Sequence, residues 1–306
     1  MYPPRAMRPL PTADRFTNPN VQRIAEASLA LVHARPPAPA AAPTTPRRGI
    51  IEVRLLGTFA LRVDGRGVRK WVGQRGTSVL RYLLSRRRHT CSRDELLEAF
   101  WPGVAPDAAR NRLQVAVSGL RRALREVTNL HVIEYAEGGY RINLEIRVDV
   151  DVERFKKTLS TARCAERSGD LDRALTAYRE ATELYRGDFA SDAPYEQWTL
   201  LPRETLRLTY IDALDRASRI QLSVGRLDDC IATAHRMLDI DPCCEDAHQL
   251  LMRCYTSQGR NYQAVRQYDF CRRMLKRTLE VEPAPETTRL YRAIRAGSAG
   301  KPALID

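Results

Sequence analysis

The stretch from Asp107 to Arg125 constrains this chain most, because only a helix brings its apolar residues together. Leu113, Ala116, Val117, Leu120 and Leu124 recur at helical spacing and form one stripe. On a helical wheel, Asn111, Val115, Ser118 and Arg122 point the opposite way, with Gln114 and Arg125 beside them. Asp107 is the expected N-cap. No acid stands between Asp107 and Glu126. The outward residues are Asn, Gln, Ser and Arg, the groups that read base edges and hold phosphates. From Asn111 to Arg122 the face runs about 16 Å, a length that suits a major groove.

The flanking segments make this helix the third of a small domain. From Ile50 the pattern has period two: Ile51, Val53 and Leu55, then Phe59, Leu61 and Val63, with Asp64-Gly65 as a turn. This predicts an antiparallel sheet of two or three strands. A first helix is expected from about Gly76 to Arg87, burying Val79, Leu80, Leu83 and Leu84. Its terminal Arg86-Arg87-Arg88 is either a partner for the helix dipole or a phosphate contact. Ser92 with Glu95 reads as a capping box opening a second helix, which buries Leu96, Leu97, Phe100 and Trp101 and stops at Pro102-Gly103. After the third helix, His131–Tyr135 and Tyr140–Leu144 predict a hairpin tipped by Gly138-Gly139. Sheet, three helices and hairpin, in that order, describe a winged helix-turn-helix.

Charge follows the same division. Of a net charge of +13, residues 1–49 hold 7 basic against 2 acidic residues, residues 50–145 hold 17 against 10, and residues 146–306 hold 26 against 25. A basic first half and a near-neutral second half imply a polyanion partner at one end and protein contacts at the other. Residues 1–49 carry ten of the 18 prolines and are expected to be a disordered Pro/Ala-rich tail, with a short helix around Val21–Ala34.

The second half is helical throughout and repeats. Gly169-Asp-Leu, Gly225-Arg-Leu and Gly259-Arg each precede a helix with a small residue at a fixed place, namely Ala174, Cys230 and Ala264. The last two lie 34 apart, the tetratricopeptide period, and Pro242 falls where that motif ends. The longer first interval hides an insertion around Asp188–Glu204, containing Trp198. Paired helices of this kind stack and present a concave protein-binding surface. The expected fold is therefore mainly α with small β: residues 50–146 a winged-helix domain, residues 147–296 an all-α tetratricopeptide-like domain, and residues 297–306 a flexible end.

Catalytic signatures are lacking. There is no phosphate-binding loop, no His-Glu-x-x-His and no Gly-x-Ser-x-Gly. Cys243, Cys244, His248 and Cys254 invite a zinc reading, as do His89 and Cys91, but without Cys-x-x-Cys spacing helix packing is the favoured account. No cofactor is expected, and no enzymatic activity. Seven scattered cysteines fit a reducing compartment, and no apolar run reaches a bilayer's width, so a cytoplasmic, nucleoid-associated protein with no membrane partner is expected.

On these residues the chain resembles the Streptomyces antibiotic regulatory protein (SARP) family, activators with an OmpR-like winged helix followed by a bacterial transcriptional activator domain. The matching runs are Val53-Arg-Leu-Leu-Gly57, Ser92-Arg-Asp-Glu-Leu-Leu97, Ala109-Arg-Asn-Arg-Leu-Gln-Val115, Leu120-Arg-Arg-Ala-Leu124 and Gly138-Gly-Tyr-Arg141, then Asp149–Phe155 and the three glycine turns. The resemblance implies binding of double-stranded promoter DNA at direct repeats by two protomers side by side. It also implies recruitment of RNA polymerase holoenzyme through its sigma factor and alpha subunit, in control of a biosynthetic pathway. Asn111, Gln114, Val115 and Ser118 are the candidate base contacts. Arg110, Arg112, Arg121, Arg122, Arg125 and Arg141 are the candidate phosphate contacts, although Arg110 and Arg121 lie nearer the apolar stripe and could be salt-bridged instead. Gly119 stands where family members often carry Arg, which would remove one phosphate contact. The alternative is a tetratricopeptide adaptor whose winged helix binds protein rather than DNA.

Overall fold

The computed structural model describes residues 50–68, 71 and 73–297. The expected tail, its Val21–Ala34 helix and the chain end from 298 lie outside the described residues.

Alternation of buried and exposed residues makes β1 (Ile50–Arg54) and β2 (Ala60–Val63) an antiparallel pair, with Ile51 opposite Val63 and Val53 opposite Leu61. A turn at Asp64 and Gly65, both at positive φ, leads into β3 (Arg66–Gly67). Helix α1 spans Gln74–Ser85, two residues earlier than the apolar pattern suggests, and buries Val79, Leu80, Leu83 and Leu84 as expected. A short strand β4 (Cys91–Ser92) precedes α2 (Arg93–Phe100). Ser92 caps α2 by accepting the Glu95 backbone N–H at 3.1 Å. The reciprocal half of the expected capping box is absent: the Glu95 carboxylate accepts from the Tyr82 hydroxyl at 2.6 Å and from Arg86 at 2.9 Å.

Helix α3 covers Pro106–Arg125. Its N-cap is Ala105 with Pro106 at the first turn, not Asp107, because proline's fixed φ suits that position and Asp107 sits one residue inside. Strands β5 (Ile133–Ala136) and β6 (Gly139–Ile142) form the wing, and β4 adds to β6 to give a three-stranded sheet. The wing turn is Glu137-Gly138, at φ 53 and 79, not Gly138-Gly139. Gly139 is already strand, and it lies so close to β4 that a Cβ there would be 2.1 Å from the Cys91 carbonyl oxygen.

The chain then returns to the first sheet. β7 (Arg147–Val150) pairs in parallel with β1, giving the order β3-β2-β1-β7, and runs directly into α4 (Asp151–Arg167). This strand was not legible, since its partner is nearly a hundred residues away and parallel pairing needs a crossover. The helical half continues with α5 (Leu171–Leu184), α6 (Gln197–Ser223), α7 (Leu227–Ile240), α8 (Glu245–Ser257), α9 (Asn261–Leu279) and α10 (Pro285–Arg295). The three repeat glycines, Gly169, Gly225 and Gly259, have φ of 77, 76 and 73. Each closes its helix in the same way. Asp170, Arg226 and Arg260 donate their N–H to Ala165, Gln221 and Tyr255 carbonyls at 3.0, 2.8 and 2.7 Å. This is the Schellman pattern, which needs the left-handed residue glycine supplies. Ala174, Cys230 and Ala264 are fully buried where the paired helices approach.

One apolar cluster runs from β1 through the winged helix into the helical half as far as Cys254. A smaller one, of Met252, Ala264, Tyr268 and Ile294, holds α10 onto α8 and α9. The connection from Tyr185 to Glu196 joins the halves. Leu56 bridges Phe189, Gly57 N–H donates to Asp188 O at 3.1 Å, and Ala190 N–H to Leu55 O at 2.8 Å. Arg203 on α6 shapes this connection by donating to the carbonyls of Phe189, Ala190, Ala193 and Pro194. Asp151 accepts from the backbone N–H of Leu55 and Leu56 at 2.8 and 2.9 Å, tying the start of α4 to the end of β1. Burial pushes its carboxyl up from the ordinary carboxylate range, against the pull of those N–H groups.

Candidate nucleic-acid interface

The amphipathic pattern of α3 decides which residues reach solvent. Leu113, Val117, Leu120 and Leu124 are buried, with Ala109 and Ala123. Asn111, Arg112, Gln114, Val115, Ser118, Arg122 and Arg125 are exposed. Val115 is 71% exposed, a large aliphatic side chain left open to solvent. Among the described residues, Asn111, Arg112, Gln114, Ser118, Arg122 and Arg125 make no side-chain hydrogen bond or ion pair. The face therefore combines free donors, free acceptors, one apolar contact and three unpaired guanidinium groups.

The structure sorts the remaining candidates differently. Arg110 is exposed but pairs with Asp107 at 2.7 Å, within one helical turn. Arg121 is half-buried and donates to the Ile133 carbonyl at 3.2 and 3.1 Å, fastening α3 to the wing. Arg141 is half-buried on β6, hydrogen-bonded to Glu134 across the hairpin and 3.7 Å from Glu137. Gly119 is buried, so its place on α3 faces the protein rather than the exposed face.

Of the basic run after α1, Arg86 and Arg87 are engaged inside the protein. Arg86 pairs with Glu95 at 2.9 Å, and Arg87 holds Glu153 of α4 through both carboxylate oxygens at 2.8 and 2.6 Å. Arg86 stands at the C-cap of α1, where a cation meets the negative end of the helix dipole. Arg88 stays exposed. Arg93 is a further exposed cation the pattern did not single out: it donates to the Tyr135 hydroxyl at 2.9 Å and sits 4.9 Å from that ring's centre, linking α2 to the wing. In sequence it is only the residue after a cap.

In the helical half, His248 is fully buried. Its Nε2 lies 3.0 Å from the Pro242 carbonyl and its Nδ1 2.6 Å from the Gln267 amide nitrogen, so the ring donates to one and accepts from the other as a neutral imidazole. Burial holds its pKa below the usual histidine range. The Cys91 thiol, buried against Glu95, is pushed up to about 12. Among the described residues no group of three or more His, Cys, Asp or Glu is placed to hold a metal, and no helix is long and apolar enough to cross a membrane.

Comparison with known proteins gives these elements their context. Residues 70–142 match the family described as "Transcriptional regulatory protein, C terminal", and residues 150–295 match "Bacterial transcriptional activator domain". The chain is 24% identical over 249 residues to transcriptional regulatory protein MoaR1 of Mycobacterium tuberculosis, covering 80% of this chain and 79% of that protein. It is 28% identical over 221 residues to regulatory protein AfsR of Streptomyces griseus, covering 71% of this chain but 22% of AfsR. Regulatory protein DnrI of Streptomyces peucetius is 23% identical over 212 residues, 67% of this chain and 78% of DnrI. Among solved structures, Mycobacterium tuberculosis EmbR, in complex with a low affinity phosphopeptide, superposes with a TM-score of 0.69 at 22% identity over 82% of this chain and 68% of EmbR, which shows a shared fold. With the regulatory winged helix and the activator domain in this order, and AfsR and DnrI among its relatives, the chain belongs to the Streptomyces antibiotic regulatory protein family of DNA-binding transcriptional regulators.

Proposed function

We propose that the chain is a sequence-specific activator that reads promoter direct repeats with the exposed face of α3 and recruits RNA polymerase holoenzyme. The observation that carries this reading is the set of unpartnered Asn111, Arg112, Gln114, Ser118, Arg122 and Arg125 around exposed Val115. Asn111, Gln114 and Ser118 are the base readers in this proposal, Val115 the contact for a thymine methyl, and Arg112, Arg122 and Arg125 the phosphate ligands. Arg110, Arg121 and Arg141 are weaker phosphate candidates, because each already holds a protein acceptor.

Two protomers side by side on direct repeats, with the sigma factor and alpha subunit as polymerase contacts, complete the proposal, together with a cytoplasmic location. These rest on the family, as does a non-enzymatic role: the relatives reported above are named as regulators. The test is binding to a duplex carrying direct repeats against a scrambled duplex over a salt series. Tighter binding to the repeats with a steep negative slope is expected, since log K falls by about 0.9 per phosphate contact per log unit of salt. Absence of binding to any duplex at low salt overturns the proposal and favours the protein-binding adaptor.

A further inference from the structure

We propose that the groove between α7 and α9 is a docking site for an acidic protein segment that carries an apolar anchor. This lies outside the DNA-reading face and does not depend on it.

The groove holds about 440 Å³. Leu238 and Pro242 line it from the end of α7, and Phe270 and Met274 from α9. Phe270 is 41% exposed and stands one turn from Met274, so α9 leaves an apolar pair open to solvent. Methionine and phenylalanine in a groove accept side chains of varied shape. The floor is fixed rather than loose: Gln267 is held by His248, which is held in turn by the Pro242 carbonyl. Such support keeps a site open without a partner to order it.

Charge then specifies the occupant. Arg266, Arg273 and Arg277 follow the same side of α9 as Phe270, at spacings of one helical turn or two, and all three are exposed. Among the described residues none of them has a carboxylate partner: Arg266 meets the Tyr262 hydroxyl at 3.4 Å and Arg277 the Met274 sulfur at 3.9 Å. One acid, Asp239, lies in the groove itself. Residues 261–297 hold 8 basic against 4 acidic residues, whereas residues 146–260 hold 17 against 20. The positive charge of the helical half is thus gathered at this end. A row of arginines without carboxylate partners along the α9 side of a partly apolar groove, with Arg277 in its lining, matches a segment with carboxylates flanking a Leu, Phe or Met. Nucleic acid fits less well, since Asp239 would face its phosphates.

The experiment is fluorescence anisotropy of a short synthetic helical peptide, rich in Glu and carrying Leu and Phe one turn apart, titrated with the full chain. Three comparisons accompany it: the peptide with Leu and Phe replaced by Ser, the peptide with Glu replaced by Lys, and competition by duplex DNA. Saturable binding of the first peptide alone is expected. Arg273→Glu with Arg277→Glu should weaken it at least about tenfold, as should Phe270→Ser. All three positions are exposed, and an unchanged thermal melt and unchanged duplex binding establish that the variants fold. No binding by the native chain, equal binding by the variants, equal binding of the Ser-substituted or Lys-substituted peptide, or duplex competition lost with the same substitutions would each overturn the proposal. Retained duplex binding in the variants separates this result from any failure of the DNA-reading proposal.

Discussion

Arg81 of α1 forms an ion pair with Asp192 of the 185–196 connection, across the junction between winged helix and helical half. Arg81 is only 5% exposed, and its guanidinium also lies 4.9 Å from the Phe59 ring centre. Asp192 accepts the Phe59 N–H at 3.3 Å as well. Beside the pair, Glu196 accepts from Arg75 and from the Ser78 hydroxyl, each at 3.1 Å. Trp198 meets Tyr82 edge-on at 5.2 Å and Phe189 at 5.9 Å. Burial lowers the Arg81 pKa, and Asp192 and Glu196 oppose that shift. The junction is therefore a packed and charge-compensated core, and α3 is held at a set position relative to the helical half.

Removing Asp192 takes away the carboxylate that Arg81 is hydrogen-bonded to and leaves a buried guanidinium with only the more weakly coupled Glu196 to offset its charge. Asp192→Ala should destabilise the chain by about 3–5 kcal/mol, whereas the double change with Arg81→Met should recover much of that loss. Urea unfolding of the two single variants and the pair checks this. Additive losses would mean the ion pair contributes nothing as a unit.

Gly139 is sterically required by β4. A Cβ would fall 2.1 Å from a backbone oxygen, which has no flexible side chain to move aside. Gly139→Ala should cost about 3 kcal/mol and unpair the wing from Cys91 and Ser92. Amide exchange at the β4–β6 pairing reads the local effect, and a variant with native protection there would contradict it.

The proposed base readers and phosphate ligands differ in what they should change. Gln114→Ala should reduce discrimination between the preferred repeat and a mutated one by about 1–3 kcal/mol. Arg122→Ala should weaken binding to every duplex alike and flatten the salt slope by about one unit. Arg121→Ala should act through stability and wing position, because its donors already serve the Ile133 carbonyl. Titrations of the three variants against matched and mutated duplexes separate these outcomes.

His248 gives the helical half a pH dependence with a definite sign. Its folded-state pKa lies below the unfolded value of about 6.5, because burial disfavours the imidazolium. Below about pH 6.5 the unfolded chain takes up a proton that the folded chain refuses, so stability declines as the pH falls through that value. His248→Gln should remove this part of the slope. Equal slopes in the native chain and the variant, from denaturant unfolding between about pH 7.5 and 5.5, would assign it elsewhere.

What the sequence determined by itself was local. Helical periodicity placed the buried stripe and the open face of α3, because a helix relates residues three and four apart without help from the rest of the chain. Period-two alternation placed β1 and β2, and the three repeat glycines marked turns whose geometry only a left-handed residue allows. Tertiary structure decided whatever depends on a distant partner. It paired β7 with β1, and it turned the insertion around Trp198 into the joint between the halves. It also separated the arginines that sequence could only group by charge. Arg112, Arg122 and Arg125 are unpaired, Arg121 is tied to a wing carbonyl, and Arg86, Arg87 and Arg141 are tied to carboxylates. A guanidinium's role is set by the nearest acceptor, and that acceptor is supplied by folding, not by the neighbouring residues in the chain.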